Sequence, residues 1–206
     1  MAGSMKTTAL TAEMRQAFAD LQPADIRELA GHGVPAVLID AFQMAGVARV
    51  RVEGELYVPD AAGSAAVITP VLLENPRGPE SCRPDVYEFL GNLVDLIAWD
   101  PRVPQRWALR TGNATWLGCI PPQYCDPAPV RVWRSPLNWF RAGCSGLVIL
   151  GRERAELHRL LVGCSGGIIA EDLQHRAELV RALERPWPAI RVYVDSPAGA
   201  EARRAA

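Results

Sequence analysis

Polar and apolar positions follow three successive rhythms along this chain. Up to residue 46 the spacing is helical, with Met14, Phe18 and Leu21 falling on one face after Thr11. Pro23 then opens a second helix holding Ile26 and Leu29, which Gly31 ends; Pro35 opens a third, which Gly46 ends. Proline just inside a helix start and glycine just past its end match the backbone limits of those two residues. From Val50 the period becomes two. Val50 and Val52 alternate with Arg49, Arg51 and Glu53, Gly54 turns the chain, and Leu56-Tyr57-Val58 returns. The turn Asp60-Ala61-Ala62-Gly63 leads into an apolar run over 65–73, and 75–84 reads as a loop. Residues 86–99 are apolar without a clear period, and 106–110 read as a further strand.

After a proline-rich connector at 121–129 the last third alternates short apolar runs with helical patterns. Val130–Trp133 is a strand, and Ser135-Pro136 caps and opens a short helix that Gly143 ends. Strands follow at 147–150, 168–170 and 190–194, separated by helical patterns at 152–162 and across Leu173, Ala177, Val180 and Leu183. The expected fold is α+β or α/β: a helical N-terminus, a mixed central sheet, and a C-terminal parallel βαβαβ unit with right-handed crossovers. The connector divides the chain into 5–120 and 130–196, with 197–206 expected to be a disordered tail.

Composition narrows the class more than the function. At 206 residues, 49% hydrophobic and 22% charged, the chain has enough apolar matter for a real core. No apolar run is long enough to span a bilayer and no signal-peptide pattern opens the chain, so a soluble, cytoplasmic protein is expected. Ala2-Gly3-Ser4 ahead of Met5 has the look of a cloning remnant and is set aside from the fold expectation. Five cysteines (Cys82, Cys119, Cys125, Cys144, Cys164) contain no Cys-x-x-Cys pair, which favours free thiols and disfavours a zinc site. The histidines His32, His158 and His175 have no carboxylate at a spacing that compels contact.

Charge is uneven. Residues 1–100 carry 7 basic and 14 acidic side chains, against 15 and 9 in 101–206, so a −7 half precedes a +6 half. That asymmetry suits a polyanion-facing side or a self-association surface, although packing between subdomains would also produce it. The acidity of 24–46 also argues against reading those residues as a DNA-binding helix-turn-helix. Five of six tryptophans lie between Trp99 and Trp139, interleaved with Arg102, Arg106, Arg110, Arg131, Arg134 and Arg141. Indole faces and guanidinium planes stack flat anionic or aromatic ligands, unpaired nucleotides among them. The expected ligand-binding set is Trp107, Arg110, Arg131, Trp133, Arg134, Trp139 and Arg141. Core packing is the competing use of the same tryptophans.

Two further patterns bear on catalysis. Gly163-Cys164-Ser165-Gly166-Gly167 fits the Gly-x-Ser-x-Gly of hydrolases and resembles the Gly-Asp-Ser-Gly-Gly of chymotrypsin-like proteases. Ser165, however, follows a helix and precedes a strand, the reverse of a nucleophile elbow, and the twin at 143–146 has the same placement. Helix capping by Gly143 and Gly163 accounts for both. The strand ends are acidic: one run leads to Glu153, one into Glu171 and Asp172, one into Asp195. Such carboxylates could share a divalent ion, or simply complement the positive ends of the helices they start.

Ile168-Ile169-Ala170-Glu171, then a helix, then 190–195, resembles the Toprim domain of bacterial and phage primases. Tyr57 to Gly63 with Ile68-Thr69-Pro70-Val71 is similar to the strand–turn–strand that precedes it there. The resemblance covers about half the chain and implies a metal-dependent nucleic-acid enzyme using Glu171, Asp172 and Asp195, with magnesium. The chain departs from the pattern: Ser196-Pro197 follows Asp195 where a second aspartate belongs, Asp172 replaces a glycine, and no zinc module precedes. What the resemblance then implies is a degenerate, non-synthetic version. The expectation is a non-catalytic binding or accessory protein of phage or mobile-element type, needing no cofactor. It would engage nucleic acid or an acidic protein surface through the Trp/Arg region, the metal enzyme being the alternative.

Overall fold

The computed structural model describes residues 2–40, 43–72, 93–118, 129–151, 166–183 and 192–194, with backbone alone at 2–7, 40, 183 and 192–194. Helix α1 (Ala2–Ala19) begins nine residues before Thr11, taking in the residues set aside above. Helix α2 (Pro23–Gly31) starts where Pro23 requires, and the Asp25 carboxylate accepts the Gln22 N–H at 2.8 Å. Helix α3 (Ala36–Asp40) follows, and Gly46 corrects the sequence reading, because it opens strand β1 (Gly46–Glu53) rather than ending a helix.

β1 pairs antiparallel with β2 (Leu56–Pro59) through its second half and with β3 (Ser64–Leu72) through its first half. β3 pairs antiparallel with β4 (Leu93–Trp99), which pairs with β5 (Trp107–Leu109). One parallel pairing, Leu56 with Leu109, closes the ring, so the expected mixed sheet is a five-stranded barrel in the order β1-β2-β5-β4-β3. Pro70 is tolerated inside β3 because it lies beyond the last β1 partner, Ile68, where only β4 flanks the strand.

Alternation on the strands gives each side of the barrel wall its own core. Val50, Tyr57, Ile68, Leu96, Ala98 and Ala108 pack with Leu10, Met14 and Ala17 of α1. Their neighbours Val67, Val71, Ile97, Trp99 and Leu109 face the other way, into a core shared with α2 and α3. Gly46 lets α1 come close, since a Cβ there would sit 2.5 Å from the Ala17 carbonyl carbon.

The second sheet has the order β10-β9-β7-β8-β6. β7 (Val130–Trp133) lies parallel between β8 (Leu147–Ile149) and β9 (Ile168–Ala170), and β10 (Val192–Val194) lies parallel to β9. β6 (Trp116–Leu117) pairs antiparallel with β8, so the chain has already crossed to this sheet before the connector at 121–129. Helix α4 (Pro136–Arg141) joins β7 to β8, and helix α5 (Leu173–Leu183) follows β9. Leu137, Trp139, Phe140, Val148 and Leu150 enter the same core as Val67 and Trp99, which fastens the sheet to the barrel. Among the described residues no helix is long and apolar enough to cross a membrane.

Candidate functional site at the carboxyl ends of β7 and β9

The strand order creates one place where neighbouring connections part. From β7 the chain moves through α4 to β8 on one side, whereas from β9 it moves through α5 to β10 on the other. At such a switch point the loops diverge and leave a crevice at the strand carboxyl ends, where open α/β sheets bind their ligands. The residues entering it are Arg134 and Ser135 after β7, and Glu171 and Asp172 after β9.

Local capping fixes these side chains. Ser135 Oγ accepts the Asn138 N–H at 3.3 Å and caps α4, with Pro136 in the first turn. Asp172 does the same for α5, its Oδ1 accepting the His175 N–H at 2.7 Å. Glu171 Oε1 ties the two strand ends together, accepting the Arg134 N–H at 2.8 Å and the Asn138 side-chain amide at 3.0 Å. The Arg134 guanidinium spans the crevice: Nη1 reaches Asp172 Oδ2 at 2.9 Å, and Nη2 reaches Asp172 Oδ1 at 3.2 Å and Glu178 Oε2 at 3.4 Å. Its Nε is buried without a partner.

His175 sits beneath this network, buried, with Nδ1 accepting the Glu171 N–H at 3.2 Å. Burial holds its pKa below the ordinary imidazole value, against the pull of the Glu171 carboxylate. The Asp172 carboxyl is lowered chiefly by the hydrogen bond from the His175 amide, with Arg134 adding to it. With His175 neutral, the Arg134 guanidinium faces the carboxylates of Asp172 and Glu178, while Glu171 holds the Arg134 backbone N–H and Arg141 stands beyond Asn138. Among the described residues no three histidine, cysteine, aspartate or glutamate side chains converge as a metal site, and Asp195 lies outside them.

The structure brings Arg134, Glu171 and Asp172 together, with Arg141 joined to them through Asn138, whose Oδ1 accepts from Arg141 Nη1 at 3.3 Å. It places the other described tryptophans and arginines of the expected set in separate contacts. Trp139 is fully buried, donates its indole N–H to the Gly146 carbonyl at 3.1 Å and packs edge-on to Phe140. Trp99 stacks on Phe140 from the barrel and donates to Thr69 Oγ1 at 2.9 Å. Trp107 packs against the same core. Trp133 donates to the Ser145 carbonyl at 2.6 Å, and Arg131 lies over its ring at 5.1 Å. Arg110 holds α1 to the barrel, with Nε 2.8 Å from Glu13 Oε2, beside the buried Tyr57, whose hydroxyl donates to Glu13 Oε1. Arg141 donates to the His32 carbonyl at 2.7 Å and braces the end of α2. The described tryptophans and arginines of this run are therefore engaged in internal contacts, at the junction of barrel and sheet, within the sheet, and to α1 and α2, where they satisfy carbonyls and carboxylates.

The loop 143–146 has the capping role read from its glycines. Gly143, Cys144 and Gly146 all have positive φ, and the Cys144 N–H returns to the Trp139 carbonyl at 3.0 Å. Ser165, Cys82, Cys119, Cys125, Cys164, Glu153 and His158 lie outside the described residues. Sequence reasoning missed Asn138 and set His175 aside for want of a carboxylate at a compelling spacing. His175 had a local signal, standing three residues after the cap Asp172, where a side chain can turn back to the residue before the helix. Asn138 had none, because its partner Glu171 follows another strand. No family model, curated protein or solved structure compared with this chain matches it.

Proposed function

We propose that this chain is a non-catalytic binding protein that engages an anionic partner, nucleic acid first, at the switch point between β7 and β9, with Arg134 as the anion-contacting side chain. The observation that carries the reading is the joint position of Arg134, Glu171 and Asp172 at the carboxyl edge of a parallel sheet. The carboxylates there are already occupied, Glu171 by an amide and an asparagine and Asp172 by a helix cap and Arg134, which favours binding over metal chemistry. The basic second half of the chain supplies a favourable long-range field for a polyanion.

Titration of a labelled single-stranded oligonucleotide over a series of salt concentrations tests this. Affinity should fall steeply with salt, because neutralised phosphates release counterions, and Arg134→Ala should weaken it while Arg106→Ala, on the exposed turn before β5, leaves it near wild type. Equal binding by Arg134→Ala would reject the site.

A metal-dependent nucleic-acid enzyme using Glu171, Asp172 and Asp195 is the second reading. It draws support from the pairing of β10 with β9, in which Val194 is level with Ala170, the residue before Glu171. Magnesium-dependent cleavage or synthesis on oligonucleotides, lost in Glu171→Gln, would establish it instead.

A further inference from the structure

We propose that Asp172 and Glu178 are built-in competitors for the anion that Arg134 recognises, so that the switch point rests in a self-occupied, closed state. This deepens the reading of Arg134 as the anion-contacting residue and depends on it. The Arg134 side chain is 22% exposed, while its partners Asp172 and Glu178 are 50% and 47% exposed. A carboxylate and a phosphate offer a guanidinium fork the same pair of oxygens, so Asp172 occupies the place a backbone phosphate would take.

The closed arrangement is incomplete in a telling way. Nε of Arg134 is buried with no acceptor, and an unmet buried donor costs free energy that the pairing with Asp172 does not recover. A phosphate has further oxygens to offer that donor once the carboxylates withdraw. Withdrawal does not require α5 to unravel, because Asp172 Oδ1 also accepts the His175 N–H and can keep capping the helix after the arginine has left. Glu178 likewise has a second contact, its Oε1 accepting from Gln174 Nε2 at 2.9 Å. The two opposing carboxylates hold Arg134 back from weak or isolated anions, and a strand presenting several phosphates outcompetes them.

Fluorescence anisotropy of a labelled single-stranded oligonucleotide with the full chain reads the competition directly. Asparagine caps a helix as well as aspartate does, so Asp172→Asn removes the charge and keeps the cap. Glu178→Gln changes a half-exposed helix position and leaves the cap untouched. Each should tighten binding, and the pair together by about three- to tenfold, the range expected from removing two half-exposed ion pairs. Unchanged or weaker binding by both variants, with Arg134→Ala still impaired, would overturn the competition and leave the site standing. If Arg134→Ala binds as well as wild type, or if no form binds, the site and the competition fall together. Tighter binding that persists when Arg134→Ala is added to the pair would mean general charge removal, and would equally overturn the competition.

Discussion

Asp95 shows how a single side chain can decide a local structure. It is fully buried on β4, and its two oxygens accept the N–H groups of Leu96 at 2.8 Å, Thr111 at 2.9 Å and Asn113 at 2.8 Å. The turn that carries the chain from the barrel toward β6 is folded around that carboxylate. Asp95→Ala leaves three backbone donors without an acceptor, and urea unfolding should show a loss of about 3 kcal/mol, of which Asp95→Asn restores only part. A change below about 0.5 kcal/mol would mean that water replaces the carboxylate. Trp139 makes a similar case in the core shared by barrel and sheet. Trp139→Phe keeps most of the apolar surface but drops the hydrogen bond to Gly146, so a loss of about 1–2 kcal/mol is expected in the same measurement.

At the scale of elements, close approach and capping govern what each segment tolerates. A Cβ on Gly46 would lie 2.5 Å from the backbone of Ala17, so Gly46→Ala must push α1 off β1. Thermal unfolding should shift downward by the equivalent of about 2 kcal/mol, whereas Gly31→Ala, with open space around it, should change little. The start of α5 depends on a neutral imidazole. His175 titrates below its ordinary value of 6.5 in the folded chain, because burial disfavours the charged ring. Above 6.5 both states carry it neutral. Below that the unfolded chain takes up the proton first, so stability is lost as pH falls through 6.5 toward the folded value. Urea midpoints measured from about pH 7 to pH 5 should decline, and His175→Gln should flatten the decline. An equal slope in both proteins would place the acid sensitivity elsewhere.

For the whole molecule, the barrel and the second sheet meet in one core. Trp99, Trp139 and Phe140 form the junction. Weakening that junction should loosen the site without touching it: Phe140→Ala is expected to cost about 3–5 kcal/mol of stability and to weaken oligonucleotide binding with it. Metal behaviour separates the two functional readings at the same scale. With Glu171 and Asp172 engaged internally, calorimetry of the whole chain should give no stoichiometric magnesium signal. A signal removed by Glu171→Gln or Asp195→Asn would favour the enzyme.

Much of the element order was legible because it depends on local rules. Pro23, the Ser135-Pro136 pair and Gly143 each act within a few residues, so their effects are written in neighbouring positions. The two-residue alternation marked β1 as a strand without giving its buried face, since Val50 is buried and Val52 exposed. The mixed helical and sheet character followed from the same signals. The limits appeared where distant segments meet. Gly46 opens a strand because α1 needs its missing side chain, and nothing beside it in sequence says so. The closure of the barrel through Leu56 and Leu109 is a pairing across more than fifty residues. The tryptophans and arginines suggested a binding surface because those residue types serve ligands and internal contacts by the same chemistry. Only the tertiary partners, such as Glu13 for Arg110, His32 for Arg141 and Gly146 for Trp139, decide which use applies. Arg134 and Asp172 were each visible as charged residues after a strand. That they face one another across a switch point is a property of strand order, which no single stretch of the chain encodes.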